Sequence, residues 1–129
     1  MPQTPTVPRI TGVRTIGVPV TDQDRALDFF VNTLGFEQRT DFPMPGMNAR
    51  WITVAPTHSA VTIALVAHGE LPTPIETGIR FVTPDAEADH ATLAARGVSV
   101  DEVLHWPGVP AMFNFRDPDG NGYELVEEA

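Results

Sequence analysis

The spacing of apolar and polar positions divides this chain into short strands and two amphipathic helices. After Thr21, the residues Leu27, Phe30, Val31 and Leu34 form one apolar helical stripe, with Asp22 and Asp24 in the first turn. Gly35 then stands where a left-handed C-terminal cap belongs. A second helix is predicted after Thr83, with Pro84 at its first position and Asp85 and Glu87 near its positive end. Ala86, His90 and Leu93 share one face of it, and Gly97 closes it. Alternating stretches bounded by turn residues predict strands near 13–20, 36–40, 50–55 and 60–66, and again near 78–82, 99–103, 111–116 and 122–127. Turns fall at Pro56-Thr57-His58-Ser59 and at Asp117-Pro118-Asp119-Gly120-Asn121. Pro19 cannot donate to a strand ladder, so it belongs at a sheet edge or a strand end.

The two helices sit in matching contexts. Val20-Thr21-Asp22 precedes the first and Val82-Thr83-Pro84-Asp85 the second, while Leu34-Gly35-Phe36 and Arg96-Gly97-Val98 end them. The closing glycines are separated by close to half the chain, which marks an internal duplication carried by the order of elements. The expected fold is α+β, one domain over 1–129 made of two βαβββ modules. A flexible tail is expected over 1–9, the first module over about 10–67, a linker over 68–76 with Pro72 and Pro74, and the second module over about 77–127.

Composition narrows the functions available. Hydrophobic residues make up 42% of the 129, enough for a packed core of ordinary domain size. The absence of cysteine rules out disulfides, thiolate metal sites and cysteine nucleophiles, and agrees with a cytoplasmic setting. Residues 1–9 carry Pro2, Pro5 and Pro8 and no apolar run, so no signal peptide is expected there. The longest apolar stretch, around 60–67, is far too short to span a bilayer. Seventeen acidic against eight basic residues give a formal charge of −9, the wrong sign for nucleic acid or an anionic membrane. No nucleophile elbow, phosphate loop or dinucleotide fingerprint is present.

Three runs carry a family resemblance. Thr15-Ile16-Gly17-Val18-Pro19-Val20-Thr21-Asp22, followed by Ala26-Leu27-Asp28-Phe29-Phe30 and Leu34-Gly35-Phe36, resembles the opening of a glyoxalase-like module. Arg116-Asp117-Pro118-Asp119-Gly120-Asn121-Gly122-Tyr123-Glu124-Leu125 is similar to its closing hairpin, and Phe81, Asp85, Leu93 and Gly97 match the start of a second module. Over residues 10–127 the chain thus resembles the glyoxalase/bleomycin resistance protein/dioxygenase (vicinal oxygen chelate) superfamily. The resemblance implies a curved, cup-like mixed sheet with helices on its outer face.

In metal-dependent members of that superfamily, histidines and carboxylates from four strands hold a divalent ion. The matching positions here are Thr15, Ala64, Gly78 (or Thr77) and Glu124, of which only Glu124 binds a metal well. The expectation is therefore no metal and no other cofactor, with Glu124 the one catalytic candidate. His58 falls in a turn, His68 in the linker and His90 on a helix face toward the sheet, while His105 lies beside Trp106 in a long loop.

Strand alternation predicts what lines the cup. With Ile52, Val54, Phe81, Phe113, Phe115 and Leu125 assigned to the core, Trp51, Arg80, Met112, Asn114 and Glu124 point inward. Met47, in a loop expected over 41–49, and Trp106 supply wall residues. These aromatic and methionine side chains fit either a small organic ligand or a dimer interface. Arg80 and Glu124 either pair with each other or are separated by a ligand, Arg80 then taking a carboxylate or phosphate and Glu124 accepting a proton or binding an amine. Three functions remain open: metal-independent binding of a small molecule, as in drug-sequestering relatives; a lyase, isomerase or dioxygenase of the same superfamily; and a dimeric interaction module. A symmetric homodimer is expected.

Overall fold

The computed structural model describes residues 6–67 and 72–128. The chain runs β1 (Thr15–Pro19), α1 (Gln23–Asp28), a π-helical turn (Phe29–Thr33), β2 (Glu37–Met44), β3 (Ala49–Ala55) and β4 (Thr62–Val66). The second module repeats the order with β5 (Glu76–Thr83), α2 (Ala86–Ala95), β6 (Met112–Arg116) and β7 (Gly122–Glu127). One sheet has the order β1-β4-β3-β2 and the other β5-β7-β6, each mixing one parallel pair with antiparallel neighbours. This is the expected α+β architecture of two related modules. Pro19 ends β1, which is an edge strand of its sheet, so its missing N–H leaves no gap in a ladder.

Several local expectations are corrected by the backbone. The first helix is capped by Asp22 rather than Thr21, its carboxylate accepting from Arg25 N at 3.0 Å, and it widens into the π-helical turn at Phe29. The second starts two residues later than Pro84, at Ala86, because the Asp85 carboxylate caps it through Ala88 N at 3.0 Å. The loop expected over 41–49 is mostly strand, since β2 continues to Met44 and pairs with β3 down to Ala49. Only a tight turn with left-handed Gly46 and Asn48 separates them.

The strand expected over 99–103 is reduced to two isolated bridges, Val100 to Phe115 and Leu104 to Met112. These bridges are out of step by one residue, as in a bulge, and β2 slips in the same way between Gln38 and Thr40. The duplication therefore extends to the irregularities of the ladder. Residues 1–5 of the expected tail, and His68 with residues 69–71 of the expected linker, lie outside the described residues.

One core joins the modules. Phe30 is fully buried and meets Tyr123 edge-on at 5.8 Å, and Phe36 meets Phe81 at 5.1 Å. Gln23, nearly buried, has every amide group engaged: Nε2 donates to Arg50 O and Leu65 O, and Oε1 accepts from Arg50 N. It thus fastens α1 to β3 and β4 without leaving a polar atom bare.

A second fastening runs between modules through the β6–β7 turn. Asp117 and Asn121 are buried. The Asp117 carboxylate accepts from Asp119 N, Asn121 N, Asn121 Nδ2 and the Tyr123 hydroxyl, the last at 2.6 Å. Asn121 Nδ2 also donates to Pro19 O at 2.8 Å, and its Oδ1 accepts from Ile75 N at 2.9 Å. Asp119 reaches the start of α1, accepting from Thr21 N, Thr21 Oγ1 and Arg25 Nη2. Burial first, and then the hydrogen bond to Asp117, push the Tyr123 phenol well above its ordinary pKa, so it stays a donor.

Asn121→Ala should destabilise the protein by about 3 kcal/mol in urea unfolding, because it strands Ile75 N–H and Pro19 C=O. Tyr123→Phe should cost about 1.5–3 kcal/mol near neutral pH. A phenol pKa raised by folding stabilises the native state fully below the unfolded value of about 10 and progressively less above it. Stability of the parent should therefore fall above about pH 10, and Tyr123→Phe should lack that component.

Candidate functional site

On the second sheet three polar residues stand in one row. Arg80 on β5 is in register with Glu124 on β7, which is in register with Asn114 on β6. Their strand neighbours Ile79, Phe113, Phe115, Tyr123 and Leu125 are buried in the core, so alternation turns the row to the opposite face. The corresponding row of the first sheet is Gly17, Ala64 and Thr53, small and nearly without charge or hydrogen-bonding groups.

β5 reaches this row through an irregularity. Its register with β7 shifts between Glu76 and Arg80, where Gly78 has φ of +73°. Thr77 Oγ1 donates to Gly122 O at 2.7 Å and accepts from Ile79 N at 3.1 Å, which replaces the lost ladder bonds. A side chain at Gly122 would collide with Glu76 and Arg116, which form an ion pair over it.

Arg80, Asn114 and Glu124 line a hollow of about 420 Å³ together with Glu76, Gly78 and Gly122. Glu124 Oε1 lies 2.9 Å from Arg80 Nε. That N–H is out of line with it, so this buried carboxylate oxygen receives no hydrogen bond among the described residues. The Arg80 side chain is 73% exposed against 22% for Glu124, so the cation faces solvent above a more buried anion. The structure thus contains the ion pair that the sequence left as one of two alternatives.

The positions at which relatives hold a metal do not form a donor set here. Thr15 Oγ1 is bonded to Thr62 Oγ1 at 2.8 Å, Ala64 carries no donor, and Thr77 Oγ1 is engaged with Gly122. Gly78 has no side chain, and Glu124 faces Arg80. One carboxylate does not satisfy a divalent ion, and the residues present do not fit it.

The other candidates are dispersed within one chain. Met112 shares the concave side of β6, partly buried, and bridges to Leu104. Trp51 pairs with Phe42 across β3 and β2 on the first sheet, Met47 sits exposed in the β2–β3 turn, and Trp106 is 61% exposed in the loop before β6. None of these three lines the hollow. His90 is structural, with Nε2 2.9 Å from Asp101 O and its ring edge-on to Phe113. His105 Nε2 lies 2.5 Å from Glu87 Oε1, which ties its loop to α2.

A larger cavity, of about 720 Å³, opens at the seam between the modules. Ile16, Val61, Ile63, Ile79 and Phe81 line it, with His58 at its rim. Ile63 and Ile79 are core residues at 3% and 7% exposure, with Ile16 and Phe81 packed against that core, and the same side chains also border this opening. The signal that sequence reasoning missed is that the turn at 56–59 lacks the acidic and amide side chains of its counterpart at 117–121.

A model of the Glyoxalase/Bleomycin resistance protein/Dioxygenase superfamily matches residues 12–125. The chain is 37% identical to TnmS3, an antibiotic binding protein from Streptomyces sp. CB03234, with a TM-score of 0.82 over 93% of this chain and 98% of that one. It is 38% identical to a superfamily member from Sphaerobacter thermophilus DSM 20745, with a TM-score of 0.81 over 92% and 98% of the two chains. The uncharacterized protein YetH of Bacillus subtilis (strain 168) is 26% identical over 92% of this chain and 99% of its own.

Gly78→Ala should cost about 1–2 kcal/mol of stability, because a side chain is strained at a left-handed φ. Arg80→Ala should change stability by less than about 1 kcal/mol, since the guanidinium is exposed and screened. Urea titration of the two variants distinguishes a structural role at Gly78 from an exposed side chain at Arg80 that contributes little to folding.

Proposed function

The chain belongs to the Glyoxalase/Bleomycin resistance protein/Dioxygenase superfamily, and on that premise we propose that it binds and sequesters a small organic molecule on the concave face of its second sheet. The observation that carries this reading is Glu124 Oε1, a buried carboxylate oxygen that faces Arg80 but receives no hydrogen bond among the described residues, at the floor of an open hollow. Such an acceptor calls for a ligand donor, a hydroxyl, an amine or an amide N–H. Asn114 adds a reversible donor and acceptor on one side, and Arg80 offers a planar fork to a carboxylate or phosphate on the other. An antibiotic is the reference ligand chemistry, because TnmS3 is an antibiotic binding protein.

The donor set supports a reading of binding without turnover. The lyase, isomerase and dioxygenase chemistries of the superfamily lean on a metal as Lewis acid, and Thr15, Ala64 and Thr77 do not supply its ligands.

Trp51, Met47, Met112 and Trp106 are assigned to the wall of the site in a homodimer. Phe42, Met47, Trp106 and Val109 are 44–61% exposed in one chain, an apolar load that a second copy would cover. The cysteine-free sequence is compatible with the cytoplasm as the setting.

A thermal-shift screen of hydroxylated polycyclic compounds should yield ligands that quench tryptophan emission. Glu124→Ala should weaken them by about 1–3 kcal/mol, and Trp51→Ala by a similar amount if its ring is a central contact. Ligands that bind both variants as tightly as the parent place the site elsewhere.

Elemental analysis after incubation with zinc, nickel and manganese should find far less than one ion per chain. One retained ion, lost in Glu124→Gln, contradicts the metal-independent reading. Light scattering at tens of micromolar should give twice the 14.0 kDa chain mass, and a monomer contradicts the dimer.

A further inference from the structure

The duplicated modules are joined unequally. The β6–β7 turn of the second module reaches the β1–α1 junction of the first through Asp119 to Thr21 and Arg25, and through Asn121 to Pro19. Its counterpart is the β3–β4 turn of the first module, where Pro56 stands in place of Asp117: Ser59 N donates to Pro56 O as Gly120 N donates to Asp117 O. Pro56 has no side-chain acceptor, and Ile63 holds the place of Tyr123 with no hydroxyl. This turn is bound to its own module instead, its Pro56 and Ser59 carbonyls accepting from Arg39 Nη2. Among the described residues it makes no hydrogen bond to β5 or α2. The joint that is filled on one side of the molecule is left open on the other, and the open joint is the seam cavity of about 720 Å³.

The lining of that cavity is selective. Ile16, Val61, Ile63, Ile79 and Phe81 give it an apolar body. Its polar residues are Thr57, His58, Ser59, Thr77 and Arg80. No Asp or Glu lines it among the described residues, although the chain has seventeen acidic residues against eight basic ones. Arg80 is its one cationic side chain among the described residues, its Nε paired with Glu124 Oε1 at 2.9 Å on the side of the hollow, and His58, held by a left-handed backbone at φ +73°, stands at the mouth. A chamber lined by apolar side chains and a guanidinium, with no carboxylate in its own lining, complements an apolar anion that takes the guanidinium edge Glu124 leaves unused. Its volume lies within the range of about 300–1,000 Å³ usual for small-molecule pockets.

We propose that the seam between the modules is a second ligand site that takes an apolar monoanion, an aliphatic or aromatic carboxylate or sulfonate, with its tail among Ile16, Val61, Ile63 and Ile79 and its charge at Arg80 and His58. The seam and the concave hollow share Gly78, Ile79 and Arg80, so Arg80 stands between the two. Asn114 and Glu124 belong to the hollow and not to the seam, which keeps the two sites separable by substitution.

The test uses 8-anilinonaphthalene-1-sulfonate as a fluorescent apolar anion, with decanoate and decylammonium as competitors. The probe should bind about one per chain and be displaced by decanoate at concentrations where decylammonium has no effect. Methyl spectra of the parent protein should shift at Ile16, Val61, Ile63 and Ile79. Val61→Trp, which fills the chamber, should weaken the probe at least about tenfold, His58→Asn about threefold, and Asn114→Ala less than about twofold. Equal displacement by decylammonium, methyl shifts absent from the seam, or a folded Val61→Trp that binds like the parent each overturns the proposal. If Val61→Trp does not fold, the methyl shifts and the competitor pair decide it. A ligand lost in Glu124→Ala but indifferent to decanoate belongs to the concave hollow and leaves the seam to be judged by its own probe.

Discussion

Everything positioned in this molecule depends on a buried carboxylate that is not free to be anything but an acceptor. Asp117 takes hydrogen bonds from two backbone amides, an amide side chain and a phenol within a single turn. Burying a charge is costly unless its lone pairs are filled, and here four donors fill them. The geometry this imposes holds Asn121 rigid, and Asn121 in turn grips Pro19 and Ile75. Two sheets that share no ladder among the described residues are thereby fixed to each other by a hydrogen-bonded wedge, while Phe30, Phe36, Phe81 and Tyr123 supply the apolar contact beneath it.

The duplication then explains where chemistry can reside. Corresponding rows of the two sheets read Gly17, Ala64, Thr53 and Arg80, Glu124, Asn114. The first has become a smooth, nearly inert surface, and the second has kept all the charge. A backbone bulge at Gly78 adjusts β5 just before Arg80, and Gly122 leaves space for the Glu76–Arg116 pair beside it. Both glycines serve the second module only, so the asymmetry of the side chains is matched by an asymmetry of the backbone.

The same divergence governs the two joints. One turn acquired the residues of a polar lock, and the other kept proline and serine and stayed tied to Arg39. With a single lock, apolar residues line a cavity at the seam, and the nearest cation to it is the arginine that also overlooks the concave hollow. A ligand on either side of β5 would therefore meet the same guanidinium.

The sequence by itself determined the elements, their duplication and the faces of the strands. Helical spacing, glycine caps and period-two alternation are local properties, and Ile52, Val54, Phe113 and Phe115 are buried as alternation requires. It also brought Arg80, Asn114 and Glu124 to one face, because that depends only on parity along three strands. It misread the caps at Asp22 and Asp85, which side-chain hydrogen bonds to the first helical turn decide, and the extent of β2 and the thinning of the strand near 100, where hydrogen bonds across the ladder set the boundary. Only the tertiary structure decided which face residues share a cavity. Trp51 obeys the same alternation as Asn114, yet it and the turn and loop residues Met47 and Trp106 lie on other elements of the chain, away from the hollow. It also decided that Ile16 and Ile79, packed in the core as alternation requires, border the seam cavity as well. That outcome rests on how the two modules dock, a relation between residues remote in sequence that no local pattern encodes.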